Sequence, residues 1–238
     1  GKGLKTRLSV ATSQVSTRYN IGITEPYFRD RPLSLSGDIF DEKIEQDDKD
    51  IEKAGVELGV GVKNRDYFNK FIYSYVESET SNSTSTAASS ISGEEGISIV
   101  TSALGYSINK DTRDNILNPK TGSKFKSSVN LAGVGGDAKF YKLESRYKKY
   151  IPYSYGDYVV SFSGQAGLIN SIEDEKVTSS NRFYFSSKSI RGFDSNGVGP
   201  RDAGNSVGVG GNKYYSGSVE VRTKRFLPFE DDTGVEWS

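Results

Sequence analysis

Apolar and polar residues alternate with a period of two along most of this chain. In Ala54 to Lys63, Val56, Leu58, Val60 and Val62 fall on one side, and Gly55, Glu57, Gly59 and Gly61 on the other. Leu4, Leu8 and Val10 oppose Lys5, Arg7 and Ser9. Tyr141, Leu143 and Tyr147 oppose Lys142, Glu144 and Arg146. Tyr158, Val160, Phe162, Ala166 and Leu168 oppose Ser161, Ser163 and Gln165, and Tyr215, Val219 and Val221 oppose Ser216, Ser218, Glu220, Arg222 and Lys224. Successive side chains on an extended strand point to opposite faces, so this is the pattern of strands with one apolar and one polar face. About ten such strands are predicted, with no helix.

The links between them predict more. Short turns centre on Pro26 to Pro32, Asn64 to Tyr67, Asn118 to Gly122, Pro152 to Gly156 and Pro228 to Asp232. Between these come Asp41 to Glu52, Thr80 to Glu95 and Asn170 to Asn212, expected as long polar loops, and two brief links near Ser13 to Thr17 and Gly133 to Ala138. Short turns on one rim and longer loops on the other mark an outer-membrane barrel. Predicted strand lengths of roughly 10 to 13 residues suit a tilted membrane crossing, whereas strands of sandwiches are nearer 5 or 6. Alternation by itself fits a solvated sandwich equally.

Composition narrows the choice. Only 34% of the 238 residues are hydrophobic and the mean hydropathy is −0.57. Yet 15 Tyr and 12 Phe are too many aromatics for a disordered chain. A large sheet with one apolar and one wet face accounts for both. There is no run of roughly 18 apolar residues to make a transmembrane helix, but barrel strands carry a far weaker hydropathy signal. Lys+Arg and Asp+Glu balance at 31 each, so no net field draws in nucleic acid. Cys and His are both absent, which removes disulfides, thiol chemistry, the Ser-His-Asp triad and the commonest metal ligand. With neither a signal peptide nor an initiator Met, the chain is read as an internal piece of a longer protein.

Other motifs lead nowhere specific. Gly208, Gly210 and Gly211 resemble a phosphate loop, but no buried parallel strand precedes them and no helix follows. The acidic pairs Asp41-Glu42 and Asp47-Asp48 lack EF-hand spacing and read as solvated loop charge. Nothing selects a carboxylate pair for glycosidase chemistry. The Ser/Thr-rich Ser78 to Ser92 reads as a mobile loop, and its sequon at Asn82 as accidental.

The segment Asn170 to Asn212 is too long for a plain hairpin loop, and links of this size usually carry function. It contains Ile190-Arg191-Gly192-Phe193, then Gly197-Val198-Gly199-Pro200-Arg201-Asp202, then Gly210-Gly211-Asn212, with Ser218-Val219-Glu220 beyond. The first of these resembles the hallmark tetrapeptide of the Omp85 superfamily, and the rest is similar to the same region of its BamA-like branch. Asp111-Thr112-Arg113-Asp114-Asn115 with Pro119 and Gly122, and Glu25-Pro26-Tyr27-Phe28, resemble turns of the same family. The resemblance runs collinearly through essentially the whole chain. It departs where the family often has two glycines before the hallmark, here Ser186-Ser187.

The resemblance implies an all-β fold: an antiparallel up-and-down transmembrane β-barrel, partial, with about ten strands plus the start of another near Trp237. Residues 1–238 would be one partial outer-membrane β-barrel domain of the bacterial surface antigen type. The long loop 170–212 would fold back into the lumen. The chain would lack the first two strands of a barrel of about sixteen, the last few strands and the periplasmic POTRA domains.

The implied role is a barrel-assembly insertase of the bacterial outer membrane. It would not be an enzyme and would have no catalytic residues, cofactor or metal. Its partners would be unfolded outer-membrane clients, assembly lipoproteins and the lipid bilayer, with no nucleic acid. A protein-translocating pore, as in two-partner secretion, is the alternative within the superfamily. The site residues carried over are the hallmark Ile190, Arg191, Gly192 and Phe193, with loop support from Gly197, Gly199, Pro200, Arg201 and Asp202. The barrel-wall partner is Glu220. An Arg in a narrow lumen must find an acceptor, and a guanidinium can bond a carboxylate with two parallel hydrogen bonds. Arg191 is therefore expected to pair with Glu220, Gly192 to permit a tight turn, and Phe193 to pack against the wall.

Overall fold

In the computed structural model the described residues are 3–13, 16–45, 49–82, 96–154, 157–173, 176–185, 192–193, 197–203 and 208–223. They form one ten-stranded sheet in which every strand pairs with its sequence neighbour. The strands are β1 Lys5–Thr12, β2 Ser16–Glu25, β3 Leu33–Glu45, β4 Lys49–Asn64 and β5 Tyr67–Asn82, then β6 Ser98–Asp111, β7 Gly122–Ala132, β8 Phe140–Tyr153, β9 Tyr158–Ser171 and β10 Lys213–Thr223. All nine pairings are antiparallel. The expected all-β, up-and-down architecture is the one observed. Short 3-10 turns at Phe28–Asp30 and Ser179–Asn181 are the helical elements among the described residues.

The register sorts the side chains as alternation requires. On one face lie Leu8, Val10, Ile21, Ile23, Leu58 and Phe71, all exposed. Further along the same face come Leu104, Leu131, Leu143, Phe162 and Val219, also exposed. So large an apolar surface on a folded sheet has a lipid as its natural solvent. The opposite face is polar and internally paired. Arg7 donates to Asn20 Oδ1 at 3.1 Å and to Asp38 Oδ1 at 2.5 Å. Arg18 bonds Glu42 Oε2 at 3.2 Å and lies over the Phe40 ring at 4.1 Å. Opposite charges paired between adjacent strands, or across one intervening strand, stabilise the wet wall.

Three expectations are corrected. Asp41 to Glu52 is mostly strand: β3 runs on to Glu45 and β4 begins at Lys49. The charges there alternate between faces and take places in the ladder, with Lys43 opposite Glu52 and Glu52 opposite Glu79, and the Lys43 ammonium bridges Glu45 at 3.2 Å and Asp50 at 3.6 Å. Strand lengths also spread more widely than expected, from 8 residues in β1 to 16 in β4 and β5. On the outward face this extension carries Asp41, Glu52, Glu77 and Glu79, all exposed. The turn expected around Asn118 to Gly122 is longer, opening at Thr112 after β6. Pro228 to Asp232 and Trp237 lie outside the described residues.

The buried core is small and sits where the long loop meets the inner wall. Ala103, Ala132, Ala138, Phe140 and Ile169 of the wall enclose Val177 of the loop, with Ile99 and Phe183 against them.

Candidate functional site: the loop on the inner wall

Three pieces of the long loop, residues 176–185, 197–203 and 208–212, fold together over the polar face. Phe183 and Gly211 exchange both backbone hydrogen bonds at 2.9 Å, and Arg201 bridges Gly208 in the same antiparallel sense. Val209 N–H donates to the Pro200 carbonyl at 3.0 Å. Arg182 ties the pieces together, donating from Nε to the Val177 carbonyl at 2.9 Å and from Nη1 to the Val209 carbonyl at 3.1 Å. The Tyr184 hydroxyl donates to the same Val209 oxygen at 3.3 Å. Gly210 has φ +71, and a Cβ there would run into the Tyr184 ring and Arg182. Both facts require glycine.

This stem is fastened to the wall from both sides. Lys53 Nζ of β4 donates to the Ser180 carbonyl at 2.8 Å. Lys142 Nζ of β8 donates to the Asn181 carbonyl at 3.1 Å and lies 4.5 Å from the centroid of the Phe183 ring. The hydroxyls of Ser78 on β5 and Ser180 are 3.4 Å apart. Phe183 and Phe185 both meet Tyr214 of β10 edge-on, with centroids at 4.7 and 5.5 Å. Such pairs add roughly 0.5–1.5 kcal/mol each beyond area burial. A cavity of about 110 Å³ remains beneath, lined by Glu144, Arg146, Gln165, Tyr184 and Tyr214 among others.

Of the expected site residues, Ile190 and Arg191 lie outside the described residues, as do Ser186-Ser187, so the expected pairing of Arg191 with Glu220 does too. Gly192 adopts φ +87 with open space around its Cβ position. Phe193, expected against the wall, exposes 53% of its surface. The Gly197 carbonyl accepts from Arg201 Nη2 at 2.9 Å, Gly199 has φ +131, and Asp202 is half-buried. Glu220 faces the polar side of β10, where its carboxylate accepts from Lys148 Nζ at 3.3 Å. The residues that sequence reasoning missed are Arg182, Lys53 and Lys142. A lone Arg among aromatics and two lysines on alternating strands carry no local signal.

At the opposite rim the turn between β6 and β7 is knit from its own polar side chains. Asp111 takes Arg113 Nη2 at 2.6 Å and Nε at 2.8 Å. The Asn115 side-chain oxygen accepts from the backbone of Leu117 and Asn118. Asp114 accepts from the backbone N–H of Thr121 at 3.1 Å and of Lys120 at 2.9 Å. These N–H groups, Thr121 first, hold its carboxyl below the ordinary carboxylate range. Arg222 of β10 reaches across to the Pro119 carbonyl, so the turn lies against the inner wall.

A meandering sheet with an apolar outer face, a charged inner face and a long loop folded against that inner face defines the wall of a transmembrane β-barrel. Residues 1–237 match the Omp85 superfamily domain, and the chain belongs to that superfamily. It is 32% identical over 146 residues to outer membrane protein assembly factor BamA of Neorickettsia risticii (strain Illinois), covering 61% of this chain and 19% of that protein. It is 32% identical over 151 residues to the sorting and assembly machinery component 50 homolog of Mus musculus, covering 63% of this chain and 31% of that protein. The fold superposes on the crystal structure of BamA from Haemophilus ducreyi lacking POTRA domains 1-3 with a TM-score of 0.85 at 20% identity, covering 98% of this chain and 49% of that one. The chain thus spans under a third of the curated relatives just named and about half of the crystallised chain.

Proposed function

We propose that the protein to which this chain belongs is a barrel-assembly insertase, which folds β-barrel clients into a bacterial outer membrane without covalent chemistry. The observation that carries this reading is the long loop bound to the inner wall at several strands, in a chain whose relatives are named as assembly factors from bacteria to animals. A loop so placed occupies the space that a translocated chain would need, which favours insertion at the wall over passage through the lumen. Its partners would be unfolded outer-membrane proteins, assembly lipoproteins and the bilayer itself. The hallmark residues Ile190, Arg191, Gly192 and Phe193 would form the tip of the loop, with Arg191 pairing to Glu220.

The test is reconstitution of the full-length protein in lipid vesicles with a urea-unfolded barrel client. Folding is read from the shifted electrophoretic mobility of the unheated client. Acceleration over empty vesicles is the expected result. No acceleration, together with passage of an unfolded exoprotein into the vesicles, would establish the translocating pore instead.

A further inference from the structure

The long loop is held at its stem by two lysines from strands that are not neighbours. Its 3-10 turn, Ser179–Asn181, uses the Thr178 and Ser179 carbonyls to accept from Asn181 and Arg182 N–H. The next two carbonyls, of Ser180 and Asn181, point onward, as they must at the end of any helical turn. Lys53 takes the first and Lys142 the second. Lys53 sits opposite Glu42 in the ladder, but that carboxylate is already engaged by Arg18 and by the Ser16 hydroxyl. The ammonium therefore turns to the loop, because a half-buried cation without an acceptor is costly. Lys142 faces Asn130 and Ile169 across its own ladders and turns to the loop in the same way. Three strands, β5 to β7, lie between β4 and β8 in the sheet order, and Tyr214 on β10 extends the attachment further.

We infer that Lys53 and Lys142 are positioning residues that make the loop stem a fixed strut across the inner wall, docked throughout the working cycle. The inference rests on the insertase reading. It adds that clients are handled beside the wall while the lumen stays braced.

This chain has no cysteine, and the Ser78 and Ser180 hydroxyl oxygens, 3.4 Å apart, bring the two side chains close enough for a cysteine pair placed there to report docking of the stem. The test uses Ser78→Cys with Ser180→Cys in the full-length protein, in lipid vesicles. The crosslink is expected to form in the folded protein and to leave the rate of client insertion the same under oxidising and reducing conditions. A rate that falls on oxidation and recovers on reduction would overturn the strut, as would failure of the pair to crosslink. Lys53→Met and Lys142→Met, singly and together, are expected to lower the crosslinking rate roughly tenfold in the double variant, with Lys53→Arg restoring most of it. The unheated mobility of each variant reports whether the barrel itself has folded. Crosslinking at the original rate in a folded double variant would show that the lysines do not position the stem. If the uncrosslinked protein fails to accelerate insertion, the insertase reading falls. The crosslinking rates still decide the strut.

Discussion

The Lys148 ammonium on β8 reaches across β9 to the Glu220 carboxylate on β10 at 3.3 Å. With side chains 36% and 51% exposed, the pair is worth under about 1 kcal/mol. Lys148→Ala should therefore shift the urea midpoint of the folded protein only slightly. It should also leave Glu220 free for a stronger partner. If that partner is Arg191, Glu220→Arg in the full-length protein lowers client assembly, and adding Arg191→Glu recovers much of it. Arg191→Ala alone should loosen the loop to protease and lower assembly. Unchanged assembly with unchanged protection would remove the pairing from the mechanism.

Gly122 opens β7 at φ +93, and a Cβ there would strike the Thr112 carbonyl and Arg113 backbone. Gly122→Ala should destabilise the barrel by about 1–3 kcal/mol. Denaturant titration in detergent, followed by tyrosine fluorescence, would show the loss as a lower midpoint. An unchanged midpoint would mean that the turn can re-form without the hydrogen bonds from Thr112 to Ser123.

The depressed carboxyl of Asp114 gives the same turn a pH dependence with a defined sign. A carboxyl whose folded pKa lies below its unfolded value stabilises the fold above the unfolded pKa, and that stability drains away as pH falls through the folded pKa. Amide exchange at Lys120 and Thr121 should stay slow on acidification through the usual carboxylate range and accelerate only below it. Asp114→Asn should flatten that acid response. Exchange that speeds up within the usual range would contradict the hydrogen bonding seen here.

Leu58 stands in the middle of the outward run of β4 and is 54% exposed. Leu58→Arg should cost about 2–4 kcal/mol if the site lies near the bilayer midplane. Glu57→Gln, on the wet face one residue away, should cost far less. The comparison is the yield of folded protein in vesicles, and equal yields would place β4 outside the lipid.

The wall of this molecule could be read from its sequence because period-two alternation is a local property. Val56, Leu58, Val60 and Val62 declare their face without reference to any partner strand. Asp41 to Glu52 misled for the same reason. A run of charges looks like a loop until the partners are known, and Lys43, Glu52 and Glu79 become strand residues only when aligned side by side. The position of the loop was legible through its motifs, but its fastening was not. Lys53 and Ser180 are far apart in the chain, and neither residue type signals a contact until the fold brings them within 2.8 Å.

The acidic outward edge of the β3–β5 extension sets a waterline. Asp41, Glu52, Glu77 and Glu79 stand on the same face as Leu58 and Phe71, only farther along the strands. A carboxylate drawn into hydrocarbon loses its hydration with nothing to replace it. The barrel can therefore sink only until that row of acids meets the headgroups. The apolar band below supplies buoyancy and the acids supply the stop, so the depth and tilt of the wall in its membrane are written into the outer face of three strands.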